Sequence, residues 1–269
     1  MGGAQRNARK QKQKQTQAAK AVAAARGSNN DRAKVIVGIV VVVVLAGAVI
    51  GGVLYQKQKA TQRAEASIPP RTVAAANYPV KVDDGTVLAG KDDAKLTVDL
   101  YEDFLCPVCG QFEKRDGTKI EQQLEAGTIK VRYHMINLLD DRSDPPGYSS
   151  LAASAAICAA DGGKFPSYHL SLYDAQPQEG GRGYDETQLA GLGKALGASG
   201  DFENCVRGGK YKDQVAKQFA TAQGNPALQQ DNGQGGKSFG TPTVAVNGKL
   251  VKWSDPNWLD NVVKTGAAG

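Results

Sequence analysis

The sequence predicts an α/β domain with a block of helices inserted into it, preceded by one transmembrane helix. Three observations carry this reading. Residues 35–54 form an apolar run without a charge. An alternating strand pattern at 95–101 runs directly into a C-x-x-C that opens a helix. Near the C-terminus, Thr241-Pro242 leads into a short apolar strand, an Asn-Gly turn and a return strand.

The chain begins with a segment that cannot form a core. Residues 1–34 hold nine Lys/Arg against one acid, Asp31, and no aromatic residue, so they read as a disordered tail. Their net +8 turns the formal +6 of the chain into −2 for residues 35–269. Residues 57, 59, 63, 65 and 71 add a further +3, which leaves −5 for the remainder. Basic residues do not cluster on the folded part, so no nucleic-acid partner is expected. A basic tail beside a bilayer is instead explained by anionic lipid and by orientation rules.

Val35 to Leu54 reads VIVGIVVVVVLAGAVIGGVL. Twenty helical residues span roughly 30 Å, the thickness of the hydrocarbon core. A buried helix this apolar all round would need a much larger protein to surround it. Nine cations precede the run, and the polar stretch after it carries four cations and one acid. The positive-inside rule then puts the tail in the cytoplasm and everything after Tyr55 outside, in a single-pass cell-membrane protein. A cleaved signal peptide, cut near Ala64-Glu65-Ala66, is the competing reading. Its n-region would be too long, and the apolar run exceeds the roughly 7–15 residues of an h-region, so an uncleaved signal-anchor is expected. Residues 55–78 are polar and Ala-rich with prolines at the end, and read as a linker that leaves 79–269 as the folded domain.

All four cysteines, Cys106, Cys109, Cys158 and Cys205, lie after the span, where disulfides persist. An even count suggests two disulfides, and spacing leaves three pairings open. A closed zinc site needs four ligands, and only His134 and His169 could join a single C-x-x-C, so no metal is expected. Covalent haem would need His after the second cysteine, and residue 110 is Gly. No other cofactor follows from the sequence.

Leu96, Val98 and Leu100 alternate with more polar neighbours, a strand signal. Pro107 suits a first helical turn, where its missing N–H would be unpaired anyway. Cys106 is thereby set at a helix N-terminus, where unpaired N–H groups and the helix dipole stabilise a thiolate. Cys109, one turn on, is placed to close the ring or resolve a mixed disulfide. An inert disulfide stapling the helix start is the bland alternative. Against it stand residues 238–249, a loop, strand, Asn-Gly turn and return strand, and the strand pattern at 128–136 with Ile129, Val131, Tyr133 and Met135 on one face. Between them residues 148–224 hold helical stretches at 148–161, 164–174, 185–196, 201–207 and 211–223. This order is that of a thioredoxin fold with an inserted helical subdomain.

The motifs also resemble a known family. Asp103-Phe104-Leu105-Cys106-Pro107-Val108-Cys109-Gly110-Gln111-Phe112-Glu113, Lys164-Phe165-Pro166-Ser167-Tyr168-His169 and Gly240-Thr241-Pro242-Thr243-Val244 are similar to the DsbA-like branch of the thioredoxin superfamily, above all its membrane-tethered actinobacterial type. The resemblance covers about residues 87–253. It implies a cis Pro242 with Thr241 beside the Cys106 sulfur, an extended edge that takes an incoming peptide. It also implies a structural disulfide between Cys158 and Cys205, with two free buried cysteines as the alternative. Glu102 reads either as a proton relay for buried Cys109 or as a solvated loop acid. His134, His169, Tyr133 and Trp253 read as packing residues.

The function expected from all this is extracytoplasmic thiol–disulfide exchange by a dithiol oxidase acting on exported cysteine-containing proteins. A DsbB-like or vitamin K epoxide reductase-like membrane protein would reoxidise it, as in relatives. The dipeptide Pro107-Val108 matches neither the Gly-Pro of thioredoxin nor the Pro-His of the enteric oxidase, so a reductase or isomerase of the same fold stays open. So does a non-enzymatic tethered binding module.

Overall fold

The computed structural model describes residues 44–55, 66–73 and 76–268. The chain divides into two compact units, Met1–Lys59 and Ala60–Gly269. In the first, residues 44–55 are helical, and the apolar side chains of Val44, Leu45, Val49, Ile50 and Leu54 stand exposed. Among the described residues no helix is long and apolar enough to cross a membrane. The expected tail, residues 35–43 of the expected span and residues 56–65 and 74–75 of the expected linker lie outside the described residues.

The second unit is built on a six-stranded sheet. Its strands are β1 (Val80–Asp83), β2 (Thr86–Ala89), β3 (Leu96–Glu102), β4 (Ile129–Met135), β7 (Thr243–Val246) and β8 (Lys249–Leu250), in the order β1-β2-β4-β3-β7-β8. β3 and β4 run parallel, Leu96 facing Ile129 and Glu102 facing Met135, joined by helix α1 (Pro107–Ala126). β7 adds antiparallel to the other side of β3, Tyr101 opposite Thr243. This register sets the end of β3, the start of α1 and the start of β7 side by side. All four β7 residues are buried, which explains an apolar run where an edge strand would alternate. Asn247 (φ 52°) and Gly248 (φ 73°) make the tight turn into β8, a pair of positive φ angles that Asn-Gly adopts readily. A two-stranded ribbon, β5 (Gln230–Asp231) with β6 (Lys237–Ser238), precedes β7. Helix α7 (Trp258–Thr265) closes the chain, with Trp258 packed on Phe112 of α1.

The helical block comprises α2 (Tyr148–Asp161), α3 (Phe165–Asp174), α4 (Glu186–Ala195), α5 (Phe202–Arg207) and α6 (Lys212–Gly224). Every residue of α2 from Ala152 to Ala160 is buried. A helix apolar all round belongs at the centre of a bundle, and its alanines let the neighbours approach closely. Cys158 of α2 and Cys205 of α5 form a disulfide with Cα atoms 5.9 Å apart.

One part of the domain reading needs correction. Residues 66–73, read from sequence as free linker, are docked on the folded unit. Ile68 is 2% exposed within the main core. The Arg71 and Val73 amides donate to the Ser171 and Ser167 hydroxyls on α3, at 2.8 and 3.1 Å. The physical reason is local: one large apolar side chain finds a core site, and Pro69-Pro70 holds the chain extended so that its N–H groups meet the hydroxyls of Ser167 and Ser171. Of the expected linker, the described residues 66–73 therefore belong to the folded unit.

Candidate active site

Cys106 is the N-cap of α1, in an extended conformation (φ −69°, ψ 115°), with Pro107 in the first turn behind it. The cap role normally belongs to Ser, Thr, Asp or Asn, whose oxygen takes a free helix amide. Here a sulfur takes it: the Cys109 amide donates to Cys106 Sγ at 3.4 Å. From the far side of the sheet, Thr241 brings its carbonyl oxygen to 3.3 Å from the same sulfur, where the protonated thiol donates to it. The Thr241–Pro242 bond is cis. The Thr241 hydroxyl, buried and otherwise unpartnered, is left to donate to the sulfur once it is an anion.

These contacts separate the two cysteines, which are free thiols in this structure. The Cys106 thiol is lowered to about 6, first by the hydrogen bond from the Cys109 thiol, with Thr241 and the amides of residues 108 and 109 adding to it against the opposing cost of burial. Cys109 is raised well above the ordinary range, chiefly by burial and then by its bond to Cys106. Cys106 keeps 5% exposure and Cys109 none, so only the first is open to attack. Val108, beside them, is 42% exposed and forms the apolar surface around the reactive sulfur. Pro107 contributes by presetting the turn that points the amides of residues 108 and 109 at the sulfur.

Two buried acids support the site. Asp103 is fully buried and accepts from the Leu105 amide (2.8 Å), the Leu139 amide (2.8 Å) and the Ser149 hydroxyl (2.7 Å), pinning the loop before Cys106 to the helical block. Burial nevertheless pushes its carboxyl up to about 7. Glu102 is the last residue of β3 and also fully buried, which removes the solvated-loop alternative for it. Burial drives it up to about 8, with the Cys106 charge adding to the rise and a hydrogen bond to Glu113 working against it.

Glu102 does not stand alone. Its Oε2 lies 3.1 Å from Nε2 of His169, and the other nitrogen of that ring, Nδ1, lies 4.0 Å from Glu113 Oε2. Glu102 Oε1 faces no N–H or hydroxyl donor, and the Glu113 carboxyl, when protonated, donates a hydrogen bond to the Glu102 carboxylate. Burial raises Glu113 well above the carboxylate range and lowers His169, so near neutral pH the imidazole is neutral and both carboxyls keep their protons. These three residues bring potential ligand atoms within 4.8 Å of one another. The two ring nitrogens, however, face different carboxylates, an arrangement suited to passing a proton rather than to one ion, which would take a single nitrogen lone pair.

The helical block also braces the cysteine motif. Gln176, just after α3, donates from Nε2 to the carbonyls of Phe104 (3.1 Å) and Cys106 (2.8 Å). It lies so close to Gly110 that a Cβ there would sit 2.3 Å from its Oε1. On the opposite wall, Gln230 Nε2 donates to Gly240 O at 3.2 Å and to the Thr243 hydroxyl, holding the cis-proline loop.

The structure thus brings Cys106, Pro107, Val108, Cys109, Glu102, Thr241 and Pro242 to one place, and sets the Cys158–Cys205 disulfide apart in the helical block. His134, stacked on Tyr101 and bonded to Asp99 at 3.0 Å, is a packing residue. His169 is more than that, and with Glu113, Asp103 and Gln176 it was missed by sequence reasoning. Glu113 had a usable signal, since it lies four residues after Cys109 and so beneath it on the same helix face.

Comparison with known proteins agrees with this geometry. The thioredoxin family model matches residues 82–264. The serine/threonine-protein kinase PknE of Mycobacterium tuberculosis is 30% identical over 204 residues, covering 73% of this chain and 35% of PknE, so the chain spans about a third of that relative's length. DsbA from Mycobacterium tuberculosis, in its oxidised form, is similar with 31% identity and a TM-score of 0.55, over 70% of this chain and 91% of that one. MdbA, a thiol-disulfide oxidoreductase from Corynebacterium diphtheriae, is similar with 26% identity and a TM-score of 0.58, over 71% and 95%. A capping sulfur on a C-x-x-C helix, faced across the sheet by a cis Thr-Pro bond, agrees with these likenesses: the chain belongs to the thioredoxin family and is a thiol–disulfide oxidoreductase of DsbA-like type.

Proposed function

We propose that this oxidoreductase works as a dithiol oxidase outside the cytoplasm, tethered by residues 35–54 and introducing disulfides into exported cysteine-containing proteins. The observation that carries the direction is the unequal pair: Cys106 held towards its anion, Cys109 buried as a thiol. A stabilised thiolate favours the dithiol form, and so makes the disulfide a good oxidant.

In this reading Cys106, Cys109, Thr241 and Pro242 are the catalytic residues, flanked by Pro107 and Val108. A substrate thiolate attacks Cys106 in the oxidised enzyme, and Cys109 leaves. A second substrate thiolate attacks the substrate sulfur of the mixed disulfide, and Cys106 departs as the stable thiolate. The backbone of Thr241, already turned toward the sulfur, offers an extended edge along which a peptide can pair. The reduced enzyme is then reoxidised by a DsbB-like or vitamin K epoxide reductase-like membrane protein, which a tethered domain meets by encounter in two dimensions.

The test is equilibration of the full chain with glutathione. An oxidase should fall on the oxidising side of the roughly −180 mV of protein disulfide isomerase, whereas a value near −270 mV would make it a reductase. Labelling of Cys109→Ser cells should trap mixed disulfides with exported proteins, and membrane-impermeant thiol reagents should reach the domain on intact cells. Reaction only after lysis would refute the topology.

A further inference from the structure

Cys109 must gain a proton when it leaves the disulfide and lose it when the disulfide reforms, yet it has no exposed surface. While a substrate covers Cys106, the exposed member of the pair, that face offers no path for the proton. A second opening exists. A cavity of about 290 Å³ is lined by Glu113 and His169 together with Tyr78, Glu121, Tyr133 and Phe165, and none of Cys106, Val108, Thr241 or Pro242 borders it. Its inner end is therefore the carboxyl–imidazole cluster, and Glu102, bonded to His169 at 3.1 Å and four residues before Cys106, lies near enough for its charge to act on Cys109.

We propose that Glu113 and His169 carry the Cys109 proton between Glu102 and the solvent in this cavity, so that thiol exchange has a proton route on a face separate from the one that takes the substrate. This rests on the thiol-exchange reading above. When a substrate thiolate attacks Cys106 Sγ, the Cys106–Cys109 bond breaks and its electron pair leaves on Cys109 Sγ. That sulfur takes a proton from Glu102, and Glu113 and His169 replace it from cavity water. Departure of Cys106 as a thiolate then completes the transfer of two electrons from the substrate dithiol to the enzyme. Reoxidation runs the proton outward: Cys109 gives it to Glu102 as its sulfur attacks Cys106 in the mixed disulfide and the partner sulfur leaves with the electrons.

The surroundings suit this role. His169 offers both ring nitrogens to carboxyls, Nε2 to Glu102 and Nδ1 to Glu113, so the ring can take a proton on one side and release it on the other. Acidic groups facing the cluster are Asp116 and Glu121 from α1, besides Cys106 and Cys109 at its start. From β4 comes Tyr133 and from α3 Tyr173, both held un-ionised by burial. Tyr78 closes the outer wall and donates to both Glu121 oxygens at 2.8 Å. Among the described residues lining the cavity there is no Lys or Arg to fix the cluster's protons in place.

The test uses the reduced full chain with an aromatic disulfide that releases a coloured thiolate. Cys106 attack gives a fast first release, and resolution by Cys109, which requires loss of its proton, gives a second. Glu113→Gln should slow the second phase tenfold or more near neutral pH and flatten its pH profile, leaving the first phase within twofold. His169→Gly should do the same, and added imidazole, entering the cavity, should restore the second phase. An unchanged second phase in Glu113→Gln, equal loss of both phases, or a slowed His169→Gly that imidazole leaves slow would each overturn the route. Absence of any coloured release from the wild type would instead sink the exchange activity itself.

Discussion

The hydrogen bond from the Cys109 thiol is the first cause of the low Cys106 pKa, so Cys109→Ala is the most direct perturbation of the nucleophile. A hydrogen bond to a charged group contributes about 1.5–3 kcal/mol, and 1.36 kcal/mol is one pKa unit. Removing it should move the Cys106 midpoint up by about one to two units from the wild-type value of about 6. Cys109→Ser keeps an O–H donor and should stay near the wild type. Because the folded value lies below the ordinary 9.0, the stabilisation is full above pH 9 and is lost as pH falls through about 6. At pH 7 about 1.4 kcal/mol of it remains, equivalent to roughly 30 mV toward a more oxidising couple. The assay is the pH dependence of Cys106 alkylation by iodoacetamide, with far-ultraviolet thiolate absorbance as a second reading. A Cys109→Ala midpoint equal to the wild type, or a wild-type midpoint near that of a free thiol, would refute this account of the site.

Other expectations follow from separate parts of the molecule. The disulfide between Cys158 and Cys205 closes a 47-residue separation, worth about 4 kcal/mol on the chain-entropy account, so replacing both by Ala should lower the denaturant midpoint without moving the Cys106 titration. Gly110→Ala should cost about 1–3 kcal/mol by displacing Gln176 from two carbonyls, and in a Gln176→Ala background the same change should be close to neutral, as a double-mutant cycle would reveal. Ile68→Ala should destabilise by about 2–4 kcal/mol in chemical unfolding although it lies in what reads as linker; a change below 0.5 would place that segment off the core. Glu102 keeps its proton up to about pH 8 in the folded dithiol form but ionises near 4.5 when unfolded. Its own share of the unfolding free energy should then fall by about 1.4 kcal/mol per pH unit across that window, beside like contributions from Asp103 and Glu113, and Glu102→Gln should make the slope shallower by that share.

How much of this the sequence discloses depends on the range of the interaction concerned. The strand into Cys106, the helix from Pro107 and the Asn247-Gly248 hairpin are legible because each is set by local rules of alternation, capping and turn geometry. The helices of the insertion are legible to within a residue for the same reason, several ends being marked by Gly or, at Asp185, by a capping side chain. Ile68 was misread because composition reports on a segment's average, whereas one apolar side chain with a waiting cavity is enough to dock it. The proton cluster was the harder case. Glu102, Glu113 and His169 come from β3, α1 and α3, and no motif marks the Glu102 side chain as pointing inward at the end of its strand. Alternation does say it: Leu96, Val98 and Leu100 face the core, so the next residue in that series is 102, and a carboxyl there is either buried or breaks the strand. A buried carboxyl demands partners. Cys109 to Glu113 is one helical turn, which sets a second carboxyl on the buried face below the thiol. Two buried acids beneath a buried cysteine cannot both stay charged without a cation, and no Lys or Arg follows on that face until Asp116 has passed. From this alone the cluster could have been expected to hold a proton; only the fold could say that His169 joins it and that it opens on a cavity away from Cys106.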